Sequence, residues 1–333
     1  MTDLLARAGL PADRVDEIIV ANALGGGGNP ARMVALAAGL PERIAGLSID
    51  RQCAGGLDAV LLADMMVRSG QAQVVIAGGV ESYSRRPLRA WQLADGSTQP
   101  YDRPAFAPWP ERDPDLAEAA DALAHQLNIS REDQDIWACA SHAKALAARD
   151  ILVREITGDT FDGYSRRLRG AVCARAKPIF GSVTFANTSV AADGAAFVLV
   201  TSPEFAASIR APMAEIVSGA TLGGAPELPG VAPVAAMQKA LNAAGITPAD
   251  LRVAEVMEAY AAQAIACVRG AGIDPTIVNP CGGSLARGHP IGASGAILAV
   301  RLFHQLGITP GNGIAAIAAA GGLGSAMVLR RPA

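Results

Sequence analysis

The feature that most constrains this chain is an internal repeat. Residues 4–15 run from Leu4 through Ala8-Gly9 to Pro11-Ala12-Asp13 and Val15. Residues 240–253 run from Ala240 through Ala244-Gly245 to Pro248-Ala249-Asp250 and Val253. Each reads as a helix end, a Gly stop, a Pro-Ala-Asp turn and then a strand, at 17–20 and at 254–257. Gly just past a helix adopts the left-handed conformation that ends it, and Pro soon after cannot extend it. A second pair follows in the same order. Residues 54–81 read as a helix opened by Gly55-Gly56, a strand at 74–77 and then Gly78-Gly79. Residues 294–324 read as a helix, a strand at 314–319 and then Gly321-Gly322. Two matched stretches in one order predict a duplicated α/β half, because a solenoid repeats at a far shorter period. Strands alternating with helices predict a parallel or mixed sheet in each half.

The expected fold class is therefore α/β, with the first half at 1–83 and 179–203 and the second at 204–333. Residues 84–178 are richer in Pro, Arg and Asp, as in Arg85-Arg86-Pro87 and Tyr101-Asp102-Arg103-Pro104. They read as an inserted loop domain over the active face. It holds two amphipathic helical patterns, at 115–127 and 131–149, the second opened by Ser130 as N-cap. An apolar strand at 194–200 returns to the first half. The second half also opens with a strand-like stretch at 214–218 that has no counterpart in the first. The expectation is a missing inner strand, which would leave ladder groups exposed.

Composition narrows the function classes. The 333 residues are 51% hydrophobic and 18% charged, enough to bury one large core or two fused ones. Net charge is -3 with no long basic run, so the electrostatic footprint of nucleic-acid binding is missing. No stretch of about 18 uncharged apolar residues stands out, so no membrane span is expected. The five cysteines, Cys53, Cys139, Cys173, Cys267 and Cys281, are odd in number and scattered. They contain no Cys-x-x-Cys pair, which disfavours a disulfide framework and a structural zinc site. Met1-Thr2-Asp3 opens no signal-peptide pattern. A soluble protein of the reducing cytoplasm, without a metal, is expected.

Two residues stand out chemically. Cys53 lies in Asp50-Arg51-Gln52-Cys53-Ala54-Gly55-Gly56-Leu57, between a strand at 47–49 and a helix at 57–67. A cysteine on such a turn aims its sulfur at a helix N-terminus, whose dipole and free amides favour thiolate. Nucleophile and buried packing cysteine both fit that position. His289 lies in a glycine-rich turn, Gly288-His289-Pro290-Ile291-Gly292, and fits either a base for a cysteine or a structural hydrogen bond. His125, His142 and His304 fall in helical patterns and read as packed or solvated. The run Gly25-Gly26-Gly27-Gly28 lacks the Gly-Lys-Ser/Thr ending of a phosphate loop. Gly321-Gly322-Leu323-Gly324 has no βαβ unit after it, which excludes a dinucleotide fingerprint and with it hydride transfer.

These pieces together resemble the thiolase family over nearly the whole chain. Residues 50–57 resemble its nucleophile motif, and Gly78-Gly79-Val80-Glu81-Ser82 the strand end that follows. Asn29-Pro30-Ala31-Arg32 and Asn187-Thr188-Ser189 are similar to family segments. Glu258-Ala259-Tyr260 matches the Asn-Glu-Ala-Phe motif after its first position. Residues 282–295 match the His-containing motif almost residue for residue.

The resemblance implies a five-layer αβαβα fold with an inserted loop domain, a homodimer or homotetramer, and coenzyme A thioester chemistry in lipid metabolism with no bound cofactor. It implies that Cys53 takes an acyl group and that His289 activates it and contributes to an oxyanion site. A second oxyanion site would use the backbone amides of Cys53 and Ala320. Ser189 would lie along coenzyme A. The shortened insertion favours the smaller assembly, and Asp115-Leu116 stands where many thiolases have His-Met.

Two positions depart from the family. Ala318 replaces the second cysteine, which moves the proton at the carbon α to the thioester carbonyl. Met257 replaces the Asn that positions an oxyanion-hole water, and a thioether is only a weak acceptor. Losing one oxyanion donor typically costs about 2.7–4 kcal/mol of transition-state stabilisation, and losing a general acid or base removes about 10²–10⁴ in rate. Cys281 and Tyr260 are the candidate substitutes for the lost thiol. The expected function is a thiolase-like acyl-coenzyme A acyltransferase, with thiolysis or condensation under altered acid–base control. The rival expectation is a catalytically silent homologue that binds acyl-coenzyme A or scaffolds a partner subunit.

Overall fold

A computed structural model describes residues 1–158 and 161–332. The first sheet contains β1 (Glu17–Ala21), β2 (Leu47–Ile49), β3 (Val74–Ser82) and β4 (Asp193–Thr201), in the order β2-β1-β3-β4. β1 runs parallel to β2 and β3, and β4 runs antiparallel to β3. The second sheet contains β5 (Glu215–Gly223), β6 (Leu251–Val256), β7 (Gly311–Ala319) and β8 (Leu323–Arg331), in the order β6-β7-β8-β5. Here β6 and β7 are parallel and β8 is antiparallel to both neighbours. The duplication is thus literal: β1, β3 and β4 repeat as β6, β7 and β8.

Both faces of each sheet are buried, so the strands read as continuous apolar runs. In β3, Val75 and Ala77 face inward while Val74 and Ile76 face outward. In β7, Ala315 and Ile317 face inward while Ile314 and Ala316 face outward. The inward side chains meet α3 (Gly55–Arg68) and α8 (Ile291–Leu306), which form the central layer between the sheets. Outside the first sheet lie α1 (Thr2–Ala8) and α2 (Pro30–Ala37). Outside the second lie α6 (Ala232–Ala244) and α7 (Ala261–Ala271). This gives the five layers. The two central helices touch backbone to backbone: a Cβ on Gly295 would lie 2.3 Å from the Leu57 nitrogen, and one on Gly56 2.6 Å from that of Ala296. Such approaches admit only glycine.

Residues between β3 and β4 leave the first sheet. They form a hairpin (Arg89–Gln92 with Thr98–Tyr101), α4 (Leu116–Gln126) and α5 (Arg131–Ala147). Asp115 caps α4, and Ser130 opens α5 in a reciprocal capping box with Asp133. The expected missing inner strand is corrected by the topology. Its counterpart, β5, is an edge strand beside β8, so the equivalent place in the first sheet is the outer edge of β4. Among the described residues no strand pairs there.

Candidate active site

Cys53 sits on the turn from β2 into α3. The turn is tight: Gln52 takes φ of 48°, and the Asp50 carboxylate accepts its N–H at 2.7 Å. Arg51 reaches Asp58 in the first turn of α3 at 3.0 Å. Asp58 in turn accepts from Thr221 at 2.8 Å, so the nucleophile turn is tied to the second sheet. His289 enters from the loop before α8. Its N–H donates to Val190 at 2.7 Å, and the following turn is fixed by Gly292 N–H donating to Glu81 at 3.0 Å. Glu81 also accepts from Asn22, Ala23 and Leu24, which makes it a fully satisfied buried carboxylate.

These constraints bring His289 Nε2 to 3.1 Å from Cys53 Sγ. On the other side of the ring, Nδ1 lies 2.6 Å from Ser294 Oγ. The backbone N–H groups of Cys53 and Ala320 both approach the sulfur and favour its charged form. Ala320 is aimed there by the turn from β7 into β8, where Gly321 and Gly322 take φ of 78° and 77°. The structure therefore gathers Cys53, His289 and Ala320 at one point.

Desolvation works against the helix N-terminus at this sulfur. Burial pushes the Cys53 thiol up to about 12, against the help of its own N–H, and the Glu81 and Asp50 charges add to the rise. Burial, then the Arg287 guanidinium, lowers His289 to about 4. Burial thus weighs against charge on either group and opposes the thiolate that the helix N-terminus favours.

The other sequence candidates separate. Ser189 is half-buried beside the pair: it accepts no proton from His289, but its N–H donates to Ala259 and its hydroxyl to the Glu258 carbonyl. Its neighbours Thr188 and Ala191 bridge to Tyr260 and His289. The Tyr260 phenol is pushed up by burial and then by the charges of Asp115 and Cys53, which places it in electrostatic reach of the sulfur. Cys281 is elsewhere. Its sulfur accepts from Gln305 at 2.8 Å and packs with Ala148 and Leu152, outside the cluster that surrounds Cys53. Met257 is fully buried between the sheets, and Ala318 lies in β7 opposite Gly324. Glu258 braces the loops around the site, accepting from Trp137, Ser141, Asn279 and Leu285. Among the described residues no acid, His or Cys cluster has metal-site geometry, and no helix is long and apolar enough to cross a membrane.

Sequence reasoning assigned no role to Ser294, Glu81 or Asp58. Ser294 was legible in principle, five positions after His289 in the same glycine-rich motif. Glu81 and Asp58 were not, because their partners lie across the fold.

Known proteins share this fold. Residues 1–204 match the thiolase N-terminal domain and residues 210–331 the thiolase C-terminal domain. The chain belongs to the thiolase family. Among relatives, YhfS of Bacillus subtilis strain 168 is 39% identical over 331 residues, covering 95% of this chain and 87% of YhfS. The acetyl-CoA acetyltransferase of Rhizobium meliloti strain 1021 is 37% identical over 359 residues, covering 98% and 90%. The crystal structure of the Bacillus anthracis acetyl-CoA acetyltransferase superposes with a TM-score of 0.89 at 32% identity, covering 98% of this chain and 90% of that one. Within the matched N-terminal domain lies Cys53, and within the matched C-terminal domain lie Met257, His289 and Ala318.

Proposed function

We propose that this thiolase is an acyl-coenzyme A acyltransferase that carries its acyl group on Cys53. The observation that supports it most is the 3.1 Å contact between Cys53 Sγ and His289 Nε2, with two backbone N–H groups at the same sulfur. Acylation follows from that geometry. With Nδ1–H held on Ser294 Oγ, Nε2 presents its lone pair to the thiol. Sγ attacks the thioester carbonyl as its proton passes to Nε2. The N–H groups of Cys53 and Ala320 receive the developing oxyanion. Collapse expels the coenzyme A thiolate, which takes the proton back from His289. Ser189 and the insertion, with Asp115 near Tyr260, line the approach of the acyl and pantetheine chain.

Carbon–carbon bond making or breaking needs a further group at the α-carbon. Ala318 offers none, and Cys281 is held away by Gln305. Tyr260 is the remaining proton donor, its phenol kept neutral by its surroundings. The first half-reaction is thus fully equipped and the second is not. We assign 1–83 with 179–203 to the first half, 84–178 to the insertion and 204–333 to the second half. We also assign the protein to a reducing cytoplasm as a homodimer or homotetramer acting in acyl-chain metabolism.

The test compares two rates on one preparation. Exchange of labelled coenzyme A into acetyl-coenzyme A reports acyl transfer alone; acetoacetyl-coenzyme A thiolysis reports both halves. Exchange should proceed, and thiolysis should trail it by about 10²–10⁴ until Ala318→Cys restores a thiol. Equal rates in the natural chain would contradict the reading of Ala318. Absence of exchange would favour a silent acyl-coenzyme A binder.

A further inference from the structure

Cys139 and Cys173 form a second meeting of reactive side chains, apart from Cys53. Cys139 lies in α5, and Cys173 ends the short helix Gly170–Cys173. Their sulfurs stand 3.6 Å apart, and both thiols are free. A disulfide bond is about 2.0 Å long, so the sulfurs need approach by only roughly 1.6 Å to close one. Exposure differs across the pair. Cys139 is half-buried and lines a surface cleft with Arg131, Asp135, Ile136 and Gly170, whereas Cys173 is fully buried behind it. The backbones are already tied together there: Arg131 pairs with Asp135 in α5 and donates to the Cys173 carbonyl at 2.6 Å. Among the described residues the other three cysteines have no sulfur partner. Cys53 faces His289, Cys267 donates to the Gly230 carbonyl at 3.0 Å, and Cys281 accepts from Gln305.

We propose that Cys139 and Cys173 are a reversible redox-modification site, a dithiol that reduces a hydroperoxide and closes to a disulfide. In the first step the Cys139 thiolate attacks one oxygen of hydrogen peroxide. The O–O bond breaks, Cys139 becomes a sulfenic acid, and the departing hydroxide takes up the thiol's proton as water. In the second step the Cys173 sulfur attacks the Cys139 sulfur. The S–O bond breaks, the S–S bond forms, and hydroxide leaves with the Cys173 proton as a second water. The two sulfurs give up two electrons and the peroxide accepts them. The order follows from exposure: the reachable thiol meets the oxidant and the buried one resolves it, as redox-sensing pairs do. The bond would staple the short helix to α5. Asp135 of α5 also accepts from Asn187 at 3.1 Å, so the closed pair would steady the chain that carries Ser189.

The experiment treats the reduced full-length protein with an equimolar amount of hydrogen peroxide. Thiols titrated in denaturant should fall from five to three. Intact mass should drop by about 2 Da, peptide mapping should join the fragments bearing Cys139 and Cys173, and dithiothreitol should reverse all of this. In Cys173→Ser, which lacks the resolving thiol, dimedone should label Cys139 much more strongly than in the natural chain. Peptide mapping that finds both residues still free while Cys53 or another thiol is oxidised would overturn the proposal. So would equal dimedone labelling in the two proteins. The mapping needs no variant, so a folding defect in Cys173→Ser would not blunt it.

Discussion

In the proposed reaction, burial opposes charge on both Cys53 and His289, so the proton moves as the sulfur attacks. The imidazole is the base only while it is neutral, and its desolvation lowers His289 from 6.5 to about 4. The acylation rate should therefore hold steady as pH falls past 6.5 and decline only on approach to about 4. Stopped-flow release of coenzyme A across that range checks this, and a half-loss near 6.5 would contradict it. His289→Ala should slow acylation by about 10²–10⁴ while leaving the fold intact, read by the same release assay and by circular dichroism. The positions of Cys53 and His289 were legible in the sequence, since each sits on a glycine-rich turn beside a helix start. Burial weighs against the expected thiolate for a reason of magnitude. A helix N-terminus stabilises a charge by about 0.3–1 kcal/mol, whereas removing a charge from water costs several kcal/mol. Local sequence shows the first effect and hides the second.

Within single elements, β6 carries the clearest tension. Glu255 lies on the same face as Val253 and Met257, two residues to either side, and so faces the central layer. Among the described residues neither of its carboxylate oxygens has a hydrogen-bond partner. Burial raises it from 4.5 to about 7, held from rising further by the Arg301 and Arg287 charges. The sign follows from linkage. The folded chain keeps a proton that the unfolded chain releases, so this residue's contribution to stability falls as pH rises from 4.5 through about 7. Glu255→Gln removes that slope. Its urea midpoint relative to the natural chain should be higher at about pH 8 than at about pH 4, and a pH-independent difference would contradict the assignment. Elements themselves were readable, because helix stops and apolar strands are local signals. Their ends were not: β3 and β7 extend beyond the expected runs, through pairings with β4 and β8. Sheet order was hidden too. Only the non-local pairing of β5 with β8 shows that β5 takes an edge place.

Across the whole molecule the two halves share one interior. The largest apolar cluster joins Ile19 and Val75 of the first sheet to Ile317 and Met327 of the second through Leu57 and Leu298. Asp58, Thr221 and Ser325 add a hydrogen-bonded link across the same layer. The halves should therefore unfold together. Far-ultraviolet circular dichroism should give a single urea transition and calorimetry a single peak whose measured and van't Hoff enthalpies agree, and two separated transitions would contradict a shared core. The same joint builds the proposed reactive centre, since Cys53 comes from the first half and both His289 and Ala320 from the second. The most direct test of that account is intact-protein mass after incubation with a panel of acyl-coenzyme A esters, on the natural chain and on Cys53→Ala. A single acyl adduct that maps to Cys53 and vanishes in the variant is the predicted result. A folded natural chain that takes no adduct from any ester, or a Cys53→Ala chain that still takes one, would contradict it.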